Sequence, residues 1–300
     1  MSKNKTKERK PFEFTKKSII ALIFVSIAGI MSGIFVGGFF IGAPQVDYSQ
    51  YNEAELRDDT KSLSKNANGK SPSSYKAYEI FEIAEERMIT HGNVYAYGTG
   101  VVKNSFADQK VSSTKAYENG RYFKESVSKG LKSVGERDYY DEGSNSIHYY
   151  SGSGITEELT ATWKDKGEIT LDNFKETNGV QITSFIPYIV SSKTVLNKSA
   201  TPKEITLEDG SKAYEIVVEL DAILSVLNYV KQMKNISQLP SYPTFESITL
   251  TCVIDETFRF ISIDTIEKYT VNYMGVNASC TGTLREDFTY GKNDFIPVSG

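Results

Sequence analysis

The chain has 300 residues and a formal net charge of −4, with two cysteines, two histidines and one tryptophan. So few histidines and cysteines, at no motif spacing, exclude a readable zinc site, and the sequence predicts no metal and no cofactor. Seven of the basic residues lie within positions 1–17, so the remainder is acidic and nucleic acid is excluded as its main partner.

Residues 18–43 form an uncharged, mostly apolar run of 26 residues. A helix of that length reaches about 39 Å, which exceeds a hydrocarbon core of about 30 Å. The basic residues before it favour a cytoplasmic N-terminus. A cleaved signal peptide is the alternative, but its apolar region is shorter and Ile41-Gly42-Ala43 is a poor cleavage site. The sequence therefore predicts a cytoplasmic basic tail over 1–17 and a single-pass signal anchor over 18–43.

Three glycines recur every fourth residue within this run, at Gly29, Gly33 and Gly37. That spacing places them on one helix face, where small residues let two membrane helices approach closely. The alternative is that glycine is simply frequent in membrane helices. The pattern raises the hypothesis of a homodimer through the anchor.

The remaining chain divides by composition. Residues 44–72 are polar and predict a stalk, residues 73–290 predict one extracytoplasmic domain, and residues 291–300 form a C-terminal tail. Within the domain, the apolar period of Tyr75–Ile89 and of Ala222–Lys234 predicts two helices, with Asp221 as the N-cap of the second.

Nearly all other segments of the domain predict strands and turns. Asn119-Gly120 and Asp209-Gly210 favour type I′ hairpin turns. Residues 248–290 alternate between apolar and polar side chains, which predicts an antiparallel meander with one buried face; Glu286 is the exception on that face. The predicted class is α+β, a curved antiparallel sheet packed on two helices and preceded by one transmembrane helix.

The two cysteines, Cys252 and Cys280, lie on apolar faces of predicted strands in a compartment that permits a disulfide. In a meander these two strands flank a third, which separates them by about 9.6 Å. A disulfide needs Cα atoms within about 7 Å. The geometry therefore leaves two alternatives, a different strand order with a disulfide or two buried free thiols.

The sequence contains no recognisable catalytic motif. His91, at a helix end, and His148, in a strand, have no second ligand or nucleophile at motif spacing, so each is interpreted as structural. Asp138, Asp141, Glu142 and Asn145 do not have EF-hand spacing and are interpreted as an acidic loop. The sequence predicts no catalytic residue and names no ligand-binding residue.

One apolar stretch interrupted by proline is the first candidate for an apolar contact surface, or for a loop that plugs the sheet. It contains Phe185, Ile186, Tyr188 and Ile189.

The element order resembles that of the LolA/LppX/RseB-type half-barrel across about residues 73–290. The helix Tyr75–Ile89, the strand Ala213–Leu220 running into Ala222–Lys234, and the closing strands ITLTCVID and ASCTGTLREDFTY carry the resemblance. It implies an exported bacterial domain, often membrane-anchored, in which a curled antiparallel sheet wraps helices and holds lipid acyl chains. The predicted transmembrane anchor differs from the lipobox typical of such proteins, and no ligand residue can be transferred.

Three functions follow as hypotheses. The first is a non-catalytic binding or sensing module on the outer side of the cell membrane, with a lipid or other apolar ligand in the concavity of the sheet. The second is a protein-binding scaffold or accessory subunit of a cell-surface complex. The third is a hydrolase whose residues the sequence does not reveal; a cleft with convergent carboxylates would be its sign.

Overall fold

The computed structural model describes residues 46–91, 93–104, 108–129, 133–141, 143–154, 163–178, 185–237, 241–273 and 276–291. The predicted membrane segment 18–43, with Gly29, Gly33 and Gly37, lies outside these residues, and so does most of the C-terminal tail. Among the described helices, none is both long enough and apolar enough to cross a bilayer.

The described strands form one antiparallel sheet of eleven. The first six strands are β1 (Asn93–Asn104), β2 (Asp108–Glu118), β3 (Arg121–Lys129), β4 (Ser133–Asp141), β5 (Ser146–Gly154) and β6 (Lys164–Thr170). The other five are β7 (Lys203–Thr206), β8 (Lys212–Leu220), β9 (Thr244–Asp255), β10 (Phe260–Tyr273) and β11 (Val276–Tyr290).

The sheet consists of two meanders joined side by side. Its strand order is β6-β5-β4-β3-β2-β1-β11-β10-β9-β8-β7, so the first and last strands in sequence are neighbours in the middle of the sheet. Their pairing runs from Val94 opposite Tyr290 to Asn104 opposite Cys280. The β1–β11 ladder therefore makes one continuous sheet out of two sequence-local halves.

The described helices are α1 (Glu53–Leu56), α2 (Thr60–Asn66), α3 (Ala77–His91), α4 (Leu171–Asn178) and α5 (Leu227–Ser237). α3 and α5 lie at the two predicted helices, each with shifted bounds. A 3-10 turn over Leu224–Val226 precedes α5. The Asp221 carboxylate accepts hydrogen bonds from the Ile223 and Leu224 backbone amides, each at 2.8 Å, and so caps that turn.

The α+β class predicted from the sequence is wrong. The described chain is mainly one large antiparallel sheet, and among its helices only α3 and α5 exceed eight residues. The predicted transmembrane helix has no counterpart among the described helices. The sequence predicts strands outside the two helices, and the error lies in the weight given to the two helical periods, which cover far fewer residues than the eleven strands.

Residues 46–72, predicted as a polar stalk, fold onto the domain. They contain α1, α2 and a 3-10 turn over Tyr48–Gln50. Tyr48 and Ala67 are buried in the same core cluster as the sheet. Asp58 accepts hydrogen bonds from the backbone amide and hydroxyl of Ser192, at 2.7 and 3.0 Å, which ties this segment to the domain.

Two turns follow the predicted turn chemistry. Asn119 and Gly120 have φ of 50° and 79° between β2 and β3, as a two-residue hairpin turn with both central residues left-handed requires. Gly210 has φ of 83° in the longer turn between β7 and β8, where the backbone amide of Leu207 donates to the carbonyl of Ser211. A hairpin is present at both predicted positions, but the predicted type I′ turn is confirmed only at Asn119-Gly120, because Asp209 does not have a positive φ.

One face of the sheet, here called the inner face, carries the core. The helices cover it over β8 to β11, as the edge-to-face contact between Phe81 of α3 and Phe260 of β10 shows. Residues 185–190, here called the plug, lie beside α5 on the same face; Ile189 donates from its backbone amide to the carbonyl of Ser225 at 2.8 Å. The buried inner-face residues here include Ile216, Val218, Leu220, Ile248, Leu250 and Ile254.

A carboxyl group lies inside this apolar core. Glu267 of β10 is fully buried, and it accepts hydrogen bonds from the hydroxyls of Tyr188 at 2.7 Å and Tyr229 at 3.4 Å. Burial raises the pKa of Glu267 to about 8, although the two hydroxyls oppose the shift. Glu82 of α3 is also buried, and burial raises its pKa to about 8. Both groups are therefore protonated in the folded protein at neutral pH.

The seam between β1 and β11 depends on glycine. A Cβ atom at Gly100 would lie 2.0 Å from the carbonyl oxygen of Thr283 and 2.9 Å from the Cα of Leu284. Neither backbone atom can move without disturbing the ladder. We expect Gly100→Ala to lower the free energy of unfolding by about 2–4 kcal/mol, as measured by urea denaturation. Gly143→Ala is the control, because its nearest contact would be an Asp141 side-chain oxygen at 3.4 Å. Equal stability of both variants would contradict the close approach at the seam.

The buried carboxyl groups predict a stability that falls with pH. Because the folded-state pKa of Glu267 exceeds that of the unfolded chain, its stabilising effect is complete below the unfolded value, about 4.3, and is lost as pH rises through about 8. We expect the free energy of unfolding to fall by at least about 2 kcal/mol between pH 5 and pH 9.

The measurement is chemical denaturation at both pH values for the full chain and two variants. Glu267→Gln should flatten part of the pH dependence, whereas Glu219→Gln, at an exposed position on β8, should leave it unchanged. A pH profile that Glu267→Gln does not alter would contradict the assignment.

Candidate functional site

The inner face has two chemically different halves. Over β8 to β11 it is apolar and filled by α3, α5 and the plug, and Ile216, Val218 and Leu250 are at most 1% exposed. Over β2 to β5 it is largely polar, and several of its charged side chains remain half-buried. Ion pairs and hydroxyl groups therefore occupy positions where a sheet usually packs apolar side chains.

Strand register arranges these polar residues in two adjacent rows, here together called the polar wall. Each row takes one residue from each of β2, β3, β4 and β5, because residues in register point to the same face. The first row is Lys115, Lys124, Asp138 and Tyr149. The second row is Ser113, Ser126, Glu136 and Ser151. A third, more apolar row beside the first is Tyr117, Tyr122, Tyr140 and Ile147.

An ion pair crosses strand β1 at one end of the polar wall. The ammonium group of Lys115 on β2 lies 2.6 Å from the carboxylate of Glu286 on β11, and both side chains are nearly buried. The Ser113 hydroxyl donates to the same carboxylate oxygen at 3.1 Å. Gly98 on β1 is directly opposite Ser113 on one side and Glu286 on the other. A Cβ atom at Gly98 would lie 2.8 Å from the Cγ of Glu286. The absence of a side chain at Gly98 allows this pairing.

The same lysine also holds the plug. Its ammonium group donates to the backbone carbonyl of Phe185 at 2.7 Å. The Phe185 ring packs edge-to-face on Tyr122 of β3, with ring centroids 5.6 Å apart. Lys115 therefore belongs to the polar wall and also binds the plug, which packs in the apolar half.

A second pair of opposite charges lies in the middle of the wall. Lys124 on β3 is directly opposite Asp138 on β4. Burial raises the pKa of Asp138 to about 6, and Lys124 opposes that shift. Burial also lowers the pKa of Lys124, whose charged form Asp138 favours. Each group thus keeps the other ionised in a surrounding that disfavours isolated charge.

A neutral acid lies next to this pair. Glu136, two residues before Asp138 on the same face of β4, accepts a hydrogen bond from the Tyr149 hydroxyl at 3.0 Å. Burial and the nearby Asp138 charge raise the pKa of Glu136 to about 8, while the Tyr149 hydrogen bond opposes the shift. At neutral pH the two neighbouring carboxyl groups therefore differ in state, with Glu136 protonated and Asp138 largely ionised.

One buried hydroxyl at the edge of the wall has no hydrogen-bond partner among the described residues. Tyr122 is fully buried, and its hydroxyl neither donates nor accepts within that part of the chain. Burial first, then the nearby carboxylates of Asp138 and Glu286, raises its pKa. A buried unpaired hydroxyl costs free energy, and most such groups in proteins have a partner. This hydroxyl is suited to a partner from outside the described residues.

The predicted apolar contact residues belong to the plug. Phe185, Ile186, Tyr188 and Ile189 are all buried, at 4, 4, 4 and 0% exposure. They pack inside the sheet instead of presenting a surface, and a role in contacting a ligand stays a prediction.

The two cysteines are free thiols in the structure, and both are buried. Cys252 lies on β9 and Cys280 on β11, with β10 between them, in the meander order expected from the sequence. Burial raises the pKa of Cys280 to about 12, so this thiol is poorly reactive near neutral pH.

His148 lies on the opposite, outer face of β5. It hydrogen-bonds to Asp165 of β6 at 2.6 Å and stacks on Tyr150 with ring centroids 4.8 Å apart. These contacts attach the edge strand β6 to β5, in agreement with the structural interpretation. The His91 side chain lies outside the described part of the structure. In the described residues, no group of three or more His, Cys, Asp or Glu residues could hold a metal ion.

Sequence reasoning missed most of the polar wall. Asp138, interpreted as part of an acidic loop, is a residue of β4 that faces inward. The one signal that pointed to the wall was Glu286, noted as a carboxylate on an otherwise apolar strand face. The remaining wall residues come from separate strands, so only their register reveals that they are neighbours.

The Lys115–Glu286 pair predicts a strong asymmetry between single and double variants. Lys115→Met leaves the Glu286 carboxylate buried without its cation, and we expect a loss of about 3 kcal/mol in the free energy of unfolding. Lys115→Met/Glu286→Gln removes both charges and should recover at least half of that loss.

Arg285→Met is the control for this comparison, because it breaks an exposed pair with Asp264 on the outer face. It should cost no more than about 1 kcal/mol. Urea denaturation of the four proteins measures all of these differences. A double variant less stable than Lys115→Met would contradict the buried-pair interpretation.

Comparisons with known proteins give structural similarity only. No protein-family model matches the chain, and no curated protein matches it. A crystal structure of a DUF1329 family protein from Desulfovibrio piger is similar with a TM-score of 0.26 and 8% identity, over 75% of this chain and 96% of that one. The beta-barrel-like protein of DUF1849 from Brucella abortus is similar with a TM-score of 0.23 and 10% identity, over 66% and 98%. The large antiparallel sheet agrees with the predicted half-barrel at the level of architecture.

Proposed function

We propose that this protein is a non-catalytic binding module that holds a polar ligand against the polar wall of its sheet. The observation that carries the proposal is the pair of in-register rows of charged and hydroxyl side chains on the inner face of β2 to β5.

The free-energy cost of the wall supports a functional reading. Buried or half-buried ion pairs are often no more stabilising than apolar residues of the same volume. The inner face of β2 to β5 nevertheless keeps two lysines and two carboxyl groups, and the Tyr122 hydroxyl beside them has no described partner. Polar groups that are costly in the free protein and arranged in register are typical of a surface that a ligand satisfies.

The same observations favour a polar ligand over the acyl chain suggested by the half-barrel resemblance. In the described structure, the apolar half of the inner face is occupied by α3, α5 and the plug, and Ile216 and Leu250 have no more than 1% exposure. An acyl chain would have to displace this packing. The half-buried Lys124, Glu136 and Asp138 offer hydrogen bonds and charge instead.

Hydrolysis is the second candidate, and one observation favours it. Glu136 and Asp138 are neighbouring carboxyl groups with pKa values near 8 and 6, so one can donate a proton while the other remains ionised. Such a difference is what a general acid and a carboxylate base require. Release of reducing ends from an oligosaccharide, lost in Glu136→Gln, would favour hydrolysis over binding alone.

The scaffold hypothesis has less support. The large apolar side chains exposed in the described chain are Tyr97, Leu196, Val217 and Ile266, and they lie on separate strands or loops. The register partners of Tyr97, Val217 and Ile266 are Thr and Asp residues, which does not support one broad apolar patch of the kind that marks a protein interface. Membrane attachment, an outward-facing domain and pairing through Gly29, Gly33 and Gly37 stay predictions from the sequence.

The binding proposal predicts stabilisation of the folded protein by polar compounds. Thermal unfolding of the full chain would be followed with a panel of sugars, amino acids, nucleotides and polyamines, and with palmitate as the apolar probe. Because a ligand bound only to the folded state stabilises it, we expect at least one polar compound to raise the Tm by about 2 °C or more. Palmitate should have no such effect.

Matched variants connect the shift to the wall. Lys124→Met/Asp138→Asn removes the central charge pair, and the Tm increase should disappear in this variant. Lys110→Met/Asp264→Asn removes one lysine and one aspartate from exposed or half-exposed positions outside the wall and should retain the increase. Stabilisation by palmitate alone, or by no compound, would contradict the proposal.

A further inference from the structure

We infer that the polar wall takes a neutral, hydroxyl-rich ligand, such as a short uncharged oligosaccharide. The inference rests on the proposed binding function and adds the chemical class of the ligand to it.

The first argument is the balance of charge on the wall. Lys115 is paired with Glu286 at 2.6 Å, and Lys124 lies opposite Asp138. Glu136, whose pKa is about 8, is protonated at neutral pH. An anionic ligand would meet Asp138 and Glu286, and a cationic ligand would meet two lysines. Neither sign of charge is favoured, so electrostatic complementarity selects an uncharged partner.

The second argument is the mixture of donors and acceptors. The rows mix the two kinds of group: two lysines precede an aspartate and a tyrosine in the first row, and the second row places Glu136 among three serine hydroxyls. Neighbouring strands place these groups about 4.8 Å apart. Hydroxyl groups both donate and accept, so a ligand carrying many of them can satisfy such a mixed surface without bringing a charge.

The third argument is an unpartnered hydroxyl beside the wall. The Tyr122 hydroxyl is fully buried beside the wall, and no described residue is its hydrogen-bond partner. Asp138 and Glu286 are close enough to raise its pKa. A single ligand hydroxyl at this point would supply the partner that the described chain does not provide. Tyr122 is therefore assigned as a ligand contact.

Because Glu136 is protonated at neutral pH, binding of the ligand is expected to depend on pH. Glu136 is faced by Tyr149 on β5, by Lys124 on β3 and by Asp138 on its own strand. When it ionises above about pH 8, the wall gains a negative charge and loses one hydrogen-bond donor. Binding of a neutral ligand should therefore weaken between pH 7 and pH 9.

The test uses ligand-observed NMR and calorimetry on the full chain with trisaccharides of three charge types. The neutral probes are cellotriose, maltotriose and triacetylchitotriose, the anionic probe is trigalacturonate, and the cationic probe is the deacetylated chitosan trimer. We expect at least one neutral trisaccharide to bind at pH 7 with a dissociation constant of about 1 mM or lower. Its affinity should exceed that of either charged probe by at least about tenfold and fall at least about fivefold at pH 9.

Two variants separate binding from folding. Glu136→Gln keeps a neutral donor at every pH, so it should retain the affinity measured at pH 7 and lose the pH dependence. Tyr122→Phe removes only the unpaired hydroxyl, so it should weaken the neutral trisaccharide at least about fivefold without lowering the Tm.

The outcomes distinguish the ligand class from the binding function. A charged probe that binds more tightly than every neutral one, and that Lys124→Met/Asp138→Asn abolishes, overturns the neutral class but leaves the proposed function standing. No binding by any probe, together with no polar stabilisation in the thermal panel, overturns both. Unchanged affinity in Tyr122→Phe overturns the Tyr122 contact and indicates that its hydroxyl holds a water molecule only.

Discussion

The ladder between β1 and β11 is the constraint on which the rest of the structure depends. Each half of the sheet is a local meander, but a meander of five or six strands still has two unpaired edges. Pairing the first strand with the last removes one edge from each half and joins their inner faces. It also closes a connection of almost 200 residues, which is slow to form and costs loop entropy. Two glycines at this seam, Gly98 and Gly100, show how closely the strands and their side chains approach there.

The continuous inner face that results is used unequally. The C-terminal half is packed by two helices and the plug, which gives the domain its apolar core. The N-terminal half carries the polar wall, and Lys115 connects the two by binding both Glu286 and the Phe185 carbonyl. A stable half thus supports a half whose side chains are poorly suited to stability, as is common where a scaffold positions a binding surface.

Buried carboxyl groups recur through the molecule, and each has the same physical cause. Glu267 in the core, Glu82 on α3 and Glu136 on the wall are all shifted toward the neutral acid mainly by burial. Asp138 is shifted less, because Lys124 faces it. Lys124 thus leaves Asp138 largely ionised at neutral pH, whereas Glu136, which Lys124 also faces, is kept neutral by burial and by the charge of Asp138.

The sequence by itself determined the local features of this protein. The Asn119-Gly120 turn, the Asp221 cap and the alternating strands of residues 248–290 follow from propensity and period, which act over a few neighbouring residues. The sequence also showed that Glu286 is a carboxylate on an otherwise apolar strand face. The class was misjudged because two clear helical periods suggested a helical layer comparable to the sheet, whereas α3 and α5 are short beside eleven strands.

Only the tertiary structure decided which distant residues meet. Lys115 and Glu286 are 171 residues apart in sequence, and strand order and register alone bring them within hydrogen-bonding distance. The same holds for the opposition of Lys124 and Asp138 across β3 and β4. Register sets which face every side chain of a strand occupies, and a shift of one residue would reverse it. For that reason the sequence does not reveal which residues are neighbours in the polar wall, although it contains every one of them.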